Sequence, residues 1–204
     1  MMEKVIVLQR NTDQGIWKSE AGRMFSLFSL IVSLLILFSL PAYSRAPEKG
    51  MTDAVKVGST VPSFSLKDQN GKTFVLDSVL GKQNLVIYFY PKDDTPGCTK
   101  EACSFRDQFE VFKDKNTMII GISGQSVQSH LDFAHKYQLN FTLLSDEDNS
   151  VRKLFGVPSS AMGTIPGRVT YIVDKKGKVV FMFNSLVNAE KHVEEALRVI
   201  KTLK

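Results

Sequence analysis

Cysteine, histidine and tryptophan are scarce in this 204-residue chain, which has two, three and one of them. Two cysteines close at most one internal bridge, so a disulfide-dense scaffold is excluded. They do not form a Cys-x-x-Cys pair, and His130, His135 and His192 lack finger spacing, so a zinc site is short of ligands. An excess of one charge is also missing, since 26 Lys and Arg face 21 Asp and Glu and leave only +5. The basic residues alternate with acids, as in Lys67-Asp68 and Lys113-Asp114-Lys115. That is a solvated mixed surface and not the basic cluster of a nucleic-acid binder. Only one long uncharged apolar run is present, which excludes a multi-span membrane protein. A hydrophobic fraction of 43% and a charged fraction of 23% exclude a wholly disordered chain.

The single apolar run is Met24 to Leu40, 17 residues interrupted by serines at 26, 29, 33 and 39. A spanning helix needs about 20 apolar residues, with ~17 at the short limit. Lys18, Glu20 and Arg23 precede the run, and Leu40-Pro41-Ala42-Tyr43-Ser44 follows it. A charged flank, an apolar stretch, a helix breaker and a small-x-small site make up a secretory signal. The expectation is a signal over 1–44, cut after Ser44 or Ala46, and export across a membrane to the periplasm. Retention by residues 24–40 as a membrane anchor is the alternative, and the membrane is otherwise not involved. Residues 45–56 read as a linker and 57–204 as one domain, long enough for one well-buried core.

Within that domain, Phe64-Ser-Leu and Thr73-Phe-Val flank Asn70-Gly71, a hairpin signal. Asn84 to Tyr90 is an almost continuous apolar run ended by Pro91, as in a strand buried on both faces. Residues 92–97 are turn chemistry. Helical spacing then runs from Cys98 to Lys113, with Ala102, Phe105, Phe109 and Phe112 on one face. A second buried strand is expected at 117–122, a helix at 126–137, a short strand at 141–144 and a helix at 146–155. Strands at 168–173 and 179–183 flank a Lys175-Lys176-Gly177 turn. Asn188 is expected to cap a last helix with Val193, Leu197 and Ile200 buried. A hairpin, then alternating strands and helices, then a closing hairpin and helix give an α/β sandwich. The arrangement resembles a thioredoxin-like fold, a central mixed sheet flanked by helices with an N-terminal β-hairpin.

Both cysteines fall in one stretch, Pro91-Lys-Asp-Asp-Thr95-Pro-Gly-Cys98-Thr-Lys-Glu-Ala-Cys103. Cys98 follows a strand and a turn and opens a helix. First-turn N–H groups and the helix dipole stabilise a negative sulfur, and the thiolate is the nucleophilic form. Cys103 comes five residues later. On one helix the two side chains would sit about 140° apart with about 7.5 Å of rise, a Cα separation of about 8.6 Å. A disulfide needs roughly 4.4–6.8 Å. Either the first turn unwinds during a reaction, or the two never pair.

Pro91-x-x-x-Thr95-x-x-Cys98 resembles the peroxiredoxin signature. With Cys103 five residues on, the chain is similar to the bacterioferritin-comigratory-protein or peroxiredoxin Q subfamily. Tyr88-Phe-Tyr-Pro-Lys-Asp-Asp, Leu143-Leu-Ser-Asp-Glu, Pro166-Gly-Arg168-Val-Thr-Tyr-Ile-Val-Asp174 and Glu190-Lys-His-Val-Glu-Glu extend the likeness from about Val57 onward. The resemblance implies a thiol peroxidase acting on hydrogen peroxide and organic hydroperoxides through a cysteine sulfenic acid. Cys98 would be the peroxidatic thiolate and Cys103 the resolving thiol, the two forming an intramolecular disulfide. Thr95 would hydrogen-bond the sulfur and the peroxide, Pro91 would shield the pocket, and Arg168 would stand beside the sulfur. No metal, haem or flavin is required; thioredoxin or a similar dithiol would restore the monomeric enzyme. Two other readings fit the broad fold. A disulfide-exchange protein wants Cys-x-x-Cys, and a copper-delivery protein wants Cys-x-x-x-Cys with a distal His; neither spacing is present.

Overall fold

Alternation along one strand sets the two layers of the fold. In β3, Asn84–Phe89, every residue is buried. Leu85, Ile87 and Phe89 point into one apolar cluster, while Val86 and Tyr88 point into another. Side chains alternate across a strand, so a run apolar on both sets of alternate positions must be covered on both faces. The computed structural model describes residues 54–160 and 162–203. The expected signal at 1–44, its apolar run and the linker up to residue 53 lie outside the described residues. Among the described residues, no helix is long and apolar enough to cross a membrane.

The chain forms β1, Ser65–Asp68, and β2, Thr73–Val75, an antiparallel hairpin around Asn70-Gly71. After β3 come helices α1, Pro96–Asp107, and α2, Phe109–Asp114, then β4, Thr117–Ser123. Next are α3, Val127–Tyr137, β5, Thr142–Ser145, and α4, Ser150–Phe155. A short antiparallel pair follows, β6, Ser159–Ser160, and β7, Ile165–Pro166. The chain closes with β8, Val169–Val173, β9, Val179–Asn184, and α5, Ala189–Ile200. Seven strands make one sheet in the order β2-β1-β5-β4-β3-β8-β9. β3, β4 and β5 are parallel, with Ile87 opposite Ile120 and Ile122 opposite Leu144; β8 and β9 add antiparallel. Parallel neighbours need long crossovers, which α1–α2 and α3 supply. This is the mixed α/β, thioredoxin-like sheet expected from the element order.

Several boundaries differ, each for a local reason. The helix expected over 98–113 is two, broken at Gln108, whose φ of −100° and ψ of 7° leave the helical region. The break still lets Phe105 and Phe112 both reach the same cluster. The helix expected from Asp146 starts at Ser150, because the Asp146 carboxylate accepts the Val151 and Arg152 N–H groups at 3.0 and 2.8 Å from outside. Asn188 stands at the N-cap position of α5 without a side-chain cap bond. The buried face of α5 includes His192, which the apolar stripe did not reveal. The packed chain also begins before residue 57: Val55 is buried in the core and its N–H bonds the Phe155 carbonyl at 3.1 Å.

Candidate active site

β3 ends at the carboxyl edge of the sheet, where a parallel sheet presents its ligand sites. Beyond it, Thr95 is the extended N-cap residue of α1 and Pro96 fills the first helical position. Proline is suited there, because its missing N–H would have had no partner inside the helix. Cys98 is therefore in the first turn, within reach of the positive end of the helix dipole. Its side chain is only 2% exposed.

Arg168 reaches this sulfur from the start of β8, the strand paired with β3. Its Nη2 donates to Cys98 Sγ at 3.3 Å, its Nη1 donates to Glu101 Oε2, and its Nε donates to the Leu186 carbonyl at 3.3 Å. Burial works against the guanidinium charge, but Glu101 and Cys98 outweigh it and hold Arg168 above its ordinary value. Two glycines make the approach possible. A Cβ on Gly97 would meet Arg168 Nη2 at 3.3 Å, and one on Gly167 would stand 2.2 Å from the Pro158 carbonyl oxygen. Gly167 instead donates its N–H to that oxygen at 2.9 Å.

A second buried arginine braces the first. Arg152 Nη1 donates to the Gly167 carbonyl at 2.9 Å and Nη2 to the Tyr90 carbonyl at 2.8 Å. It thus ties the peptide before Arg168 to the end of β3. Below Cys98, burial pushes the Glu101 carboxyl up to about 8, with Arg168 pulling the other way. Its Oε1 has no hydrogen-bond partner. The nearest ring nitrogen, His192 Nδ1, is 3.8 Å away and accepts from the Thr170 hydroxyl at 2.8 Å. His192 Nε2 donates to the Ser185 carbonyl at 2.8 Å, which sets the tautomer. Burial holds this imidazole down, to about 4, so the ring is neutral.

Pro91 and Thr95 stand on the loop that leads into α1. The Thr95 hydroxyl donates to the Lys92 carbonyl at 3.0 Å, leaving its oxygen lone pairs free to accept. Cys103 lies on the same unbroken helix as Cys98, half-buried, and both are free thiols. The separation of about 8.6 Å expected of an intact helix therefore applies. Beside Gly97 opens a cleft of about 650 Å³ with Phe183, Val187 and Ala189 on its apolar side and Lys100 and Asn188 among its polar residues.

The structure therefore brings Cys98 and Arg168 together, sets Pro91 and Thr95 on the adjoining loop, and holds Cys103 apart. Glu101, Arg152 and His192 were not singled out from sequence. Glu101 had a usable signal: three residues after Cys98, it shares that residue's side of a helix. Among the described residues no group of acidic, histidine or cysteine side chains could hold a metal ion.

Residues 57–182 match the model of the AhpC/TSA family. A chloroplastic peroxiredoxin Q of Triticum aestivum is 54% identical over 160 residues, 78% of this chain and 73% of that protein. One from Populus jackii is 47% identical over 187 residues, 91% of this chain and 85% of its own. Among solved structures, the peroxidoxin BcpB of Mycobacterium tuberculosis superposes with a TM-score of 0.69 at 34% identity, covering 74% of this chain and 99% of that one. Peroxiredoxin Q of Xanthomonas campestris gives 0.64 at 31% identity, covering 72% and 95%.

Proposed function

The chain belongs to the AhpC/TSA family, as a peroxiredoxin of the Q type that reduces peroxides by thiol chemistry, and from that premise we propose that Cys98 is its peroxidatic cysteine and Cys103 its resolving cysteine. The observation that carries the assignment is the buried Cys98 sulfur in the first turn of α1 with Arg168 Nη2 at 3.3 Å. A buried sulfur facing a fixed positive charge is a prepared nucleophile.

In the first step the Cys98 thiolate attacks the terminal peroxide oxygen. The S–O bond forms and the O–O bond breaks. Cys98 becomes a sulfenic acid that keeps the hydrogen of the attacked oxygen, and the leaving alkoxide or hydroxide takes up a proton from solvent. Arg168 stabilises the charge that moves from sulfur to the leaving oxygen. Thr95, with its lone pairs free, accepts a hydrogen bond from the peroxide O–H, and Pro91 keeps water off the sulfur. The apolar side of the cleft beside Gly97 suits the tail of an organic hydroperoxide. In the second step the Cys103 sulfur attacks the sulfenic acid of Cys98. An S–S bond forms, the S–O bond breaks, and water leaves. The helical separation requires the first turns of α1 to unwind before this step. A dithiol protein of the thioredoxin type then reduces the disulfide by exchange.

The N-terminal segment fits the same reading as a targeting segment. The Triticum aestivum and Populus jackii relatives are chloroplastic, which favours import into an organelle over the periplasm. N-terminal sequencing of the protein from a fractionated cell tests this, with a start near Arg45 or Pro47 expected. The catalytic proposal is tested by peroxide-dependent consumption of a thioredoxin-type dithiol. Turnover that survives Cys98→Ser removes it.

A further inference from the structure

The loop between β3 and α1 is held from a side that the chemistry above does not use. Asp93 is only 5% exposed and accepts three bonds. The Tyr90 hydroxyl donates to its Oδ1 at 2.7 Å, the Ser129 hydroxyl donates to its Oδ2 at 2.6 Å, and His130 Nδ1 lies 2.9 Å from Oδ2. His130 is fully buried, and its Nε2 lies 3.2 Å from the Leu144 carbonyl on β5. The ring is thus held from both nitrogens, between the loop and the sheet. One residue on, Lys136 Nζ donates to Asp94 Oδ1 at 2.8 Å. Ser129, His130 and Lys136 all belong to α3, so consecutive loop residues are fastened to one helix.

Between these anchors the backbone is in an unusual conformation. Asp94 has a φ of 58°, in the left-handed region that non-glycine residues seldom occupy. Such a residue persists where its surroundings over-determine it, and such residues cluster at functional sites. The two loop residues assigned above to the peroxide pocket flank this point: Pro91 before Asp93, and Thr95 directly after Asp94. Downstream of Pro96 the attachment is different. There the first turns of α1 are held through Arg168, which meets Cys98 and Glu101, and at the surface by Lys100 to Glu190 at 3.9 Å, an exposed pair that contributes little.

We propose that Asp93 and His130, assisted by Ser129 and Lys136, are positioning residues that clamp the 91–95 loop to α3, so that Pro91 and Thr95 keep the peroxide pocket in shape while the first turns of α1 unwind. The proposal rests on the assignment of Cys98 given above, and it adds a boundary: the moving part begins at Pro96. The charged and titratable groups around His130 are Asp93 and Tyr90, with Arg152 behind Tyr90 and Lys136 at the loop surface.

The test compares two reactions of Cys98 in the full chain: single-turnover oxidation by hydrogen peroxide, and alkylation by iodoacetamide. Alkylation needs a reactive sulfur but not the peroxide pocket. Asp93→Asn should slow oxidation about tenfold or more while alkylation stays within about twofold, since small misplacements of positioning groups cost that much. Lys136→Met, at the surface, should slow oxidation about two- to threefold with alkylation unchanged. Should Asp93→Asn fail to fold, Ser129→Ala and Lys136→Met decide in its place. Oxidation at the parent rate in the folded variants overturns the clamp, and so does an equal fall in both reactions, which would place the effect on the sulfur. A parent protein whose Cys98 is not oxidised by peroxide removes the assignment of Cys98 instead.

Discussion

Two cysteines five residues apart on one helix sit in different surroundings. Cys98 is enclosed and faces Arg168, with Glu101, Arg152 and His192 arranged behind that guanidinium. Cys103 is half-buried in the next turn, where Arg106 faces it. That arginine is occupied by Asp107, which it meets at 2.7 Å, and by the Tyr137 carbonyl at 2.6 Å. The same side chain is thus given an enclosed pocket beside a fixed charge at the start of α1 and a half-buried position in its middle. On the proposed assignment, the difference teaches that the division of labour is written in the neighbours. Attack on a peroxide needs fixed charge in a water-poor site, while resolution needs a sulfur free to travel.

The contrast is broken most completely by Cys98→Ser, which should abolish peroxide consumption, read as loss of hydrogen peroxide in the presence of a dithiol. Cys103→Ser should leave the first oxidation intact. That variant should consume one equivalent of peroxide and then stall, with a species trapped by a sulfenic-acid probe. Turnover at the parent rate with thioredoxin would instead make this a one-cysteine enzyme. Arg168→Ala should slow oxidation of Cys98 by about 10²–10³-fold, the cost of one preorganised donor, as measured by stopped-flow competition. Alkylation of Cys103 should not change in that variant.

The smallest effect expected concerns stability. His192 is held neutral by burial at about 4, whereas in the unfolded chain it would titrate near ~6.5. The unfolded state therefore binds the extra proton as the pH falls from about 6.5 toward 4. The stability that depends on neutral His192 is complete above that window and declines within it, by about 3 kcal/mol at the acid end. Denaturant unfolding across this range should show the loss, and His192→Gln should flatten it. An equal slope in the variant would show that His192 does not govern the acid response.

The sheet was legible in sequence because its signals are strong and local. Asn84–Phe89 has no charged residue, Asn70-Gly71 lies between alternating strands, and Pro91 closes a buried run. The position of Cys98 at a helix start was legible for the same reason. What stayed hidden depends on contacts distant in the chain. Arg168 meets Cys98 across 70 residues and Arg152 meets Tyr90 across 62. Arg168 came into view through family likeness, and no periodicity marks Arg152 as a brace. The break at Gln108 was hidden because Ala102, Phe105, Phe109 and Phe112 keep a helical spacing through it. The β6–β7 pair is two residues a side, too short to alternate.

That break sets how far a disturbance can run. Helix formation is cooperative, and losing one hydrogen-bonded turn weakens its neighbours in the same run. α1 ends at Asp107 and α2 begins at Phe109, so unwinding that starts at Cys98 meets the end of its cooperative unit at Gln108. Phe112 stays seated in the core, and α2 still leads into β4, the strand paired with β3. Amide exchange should then divide sharply on oxidation: faster at residues 98–104, unchanged at 110–114 and in β3. A continuous helix through this region would have carried the melting toward the centre of the sheet. In the proposed cycle, the one irregular residue confines unwinding to a single helix.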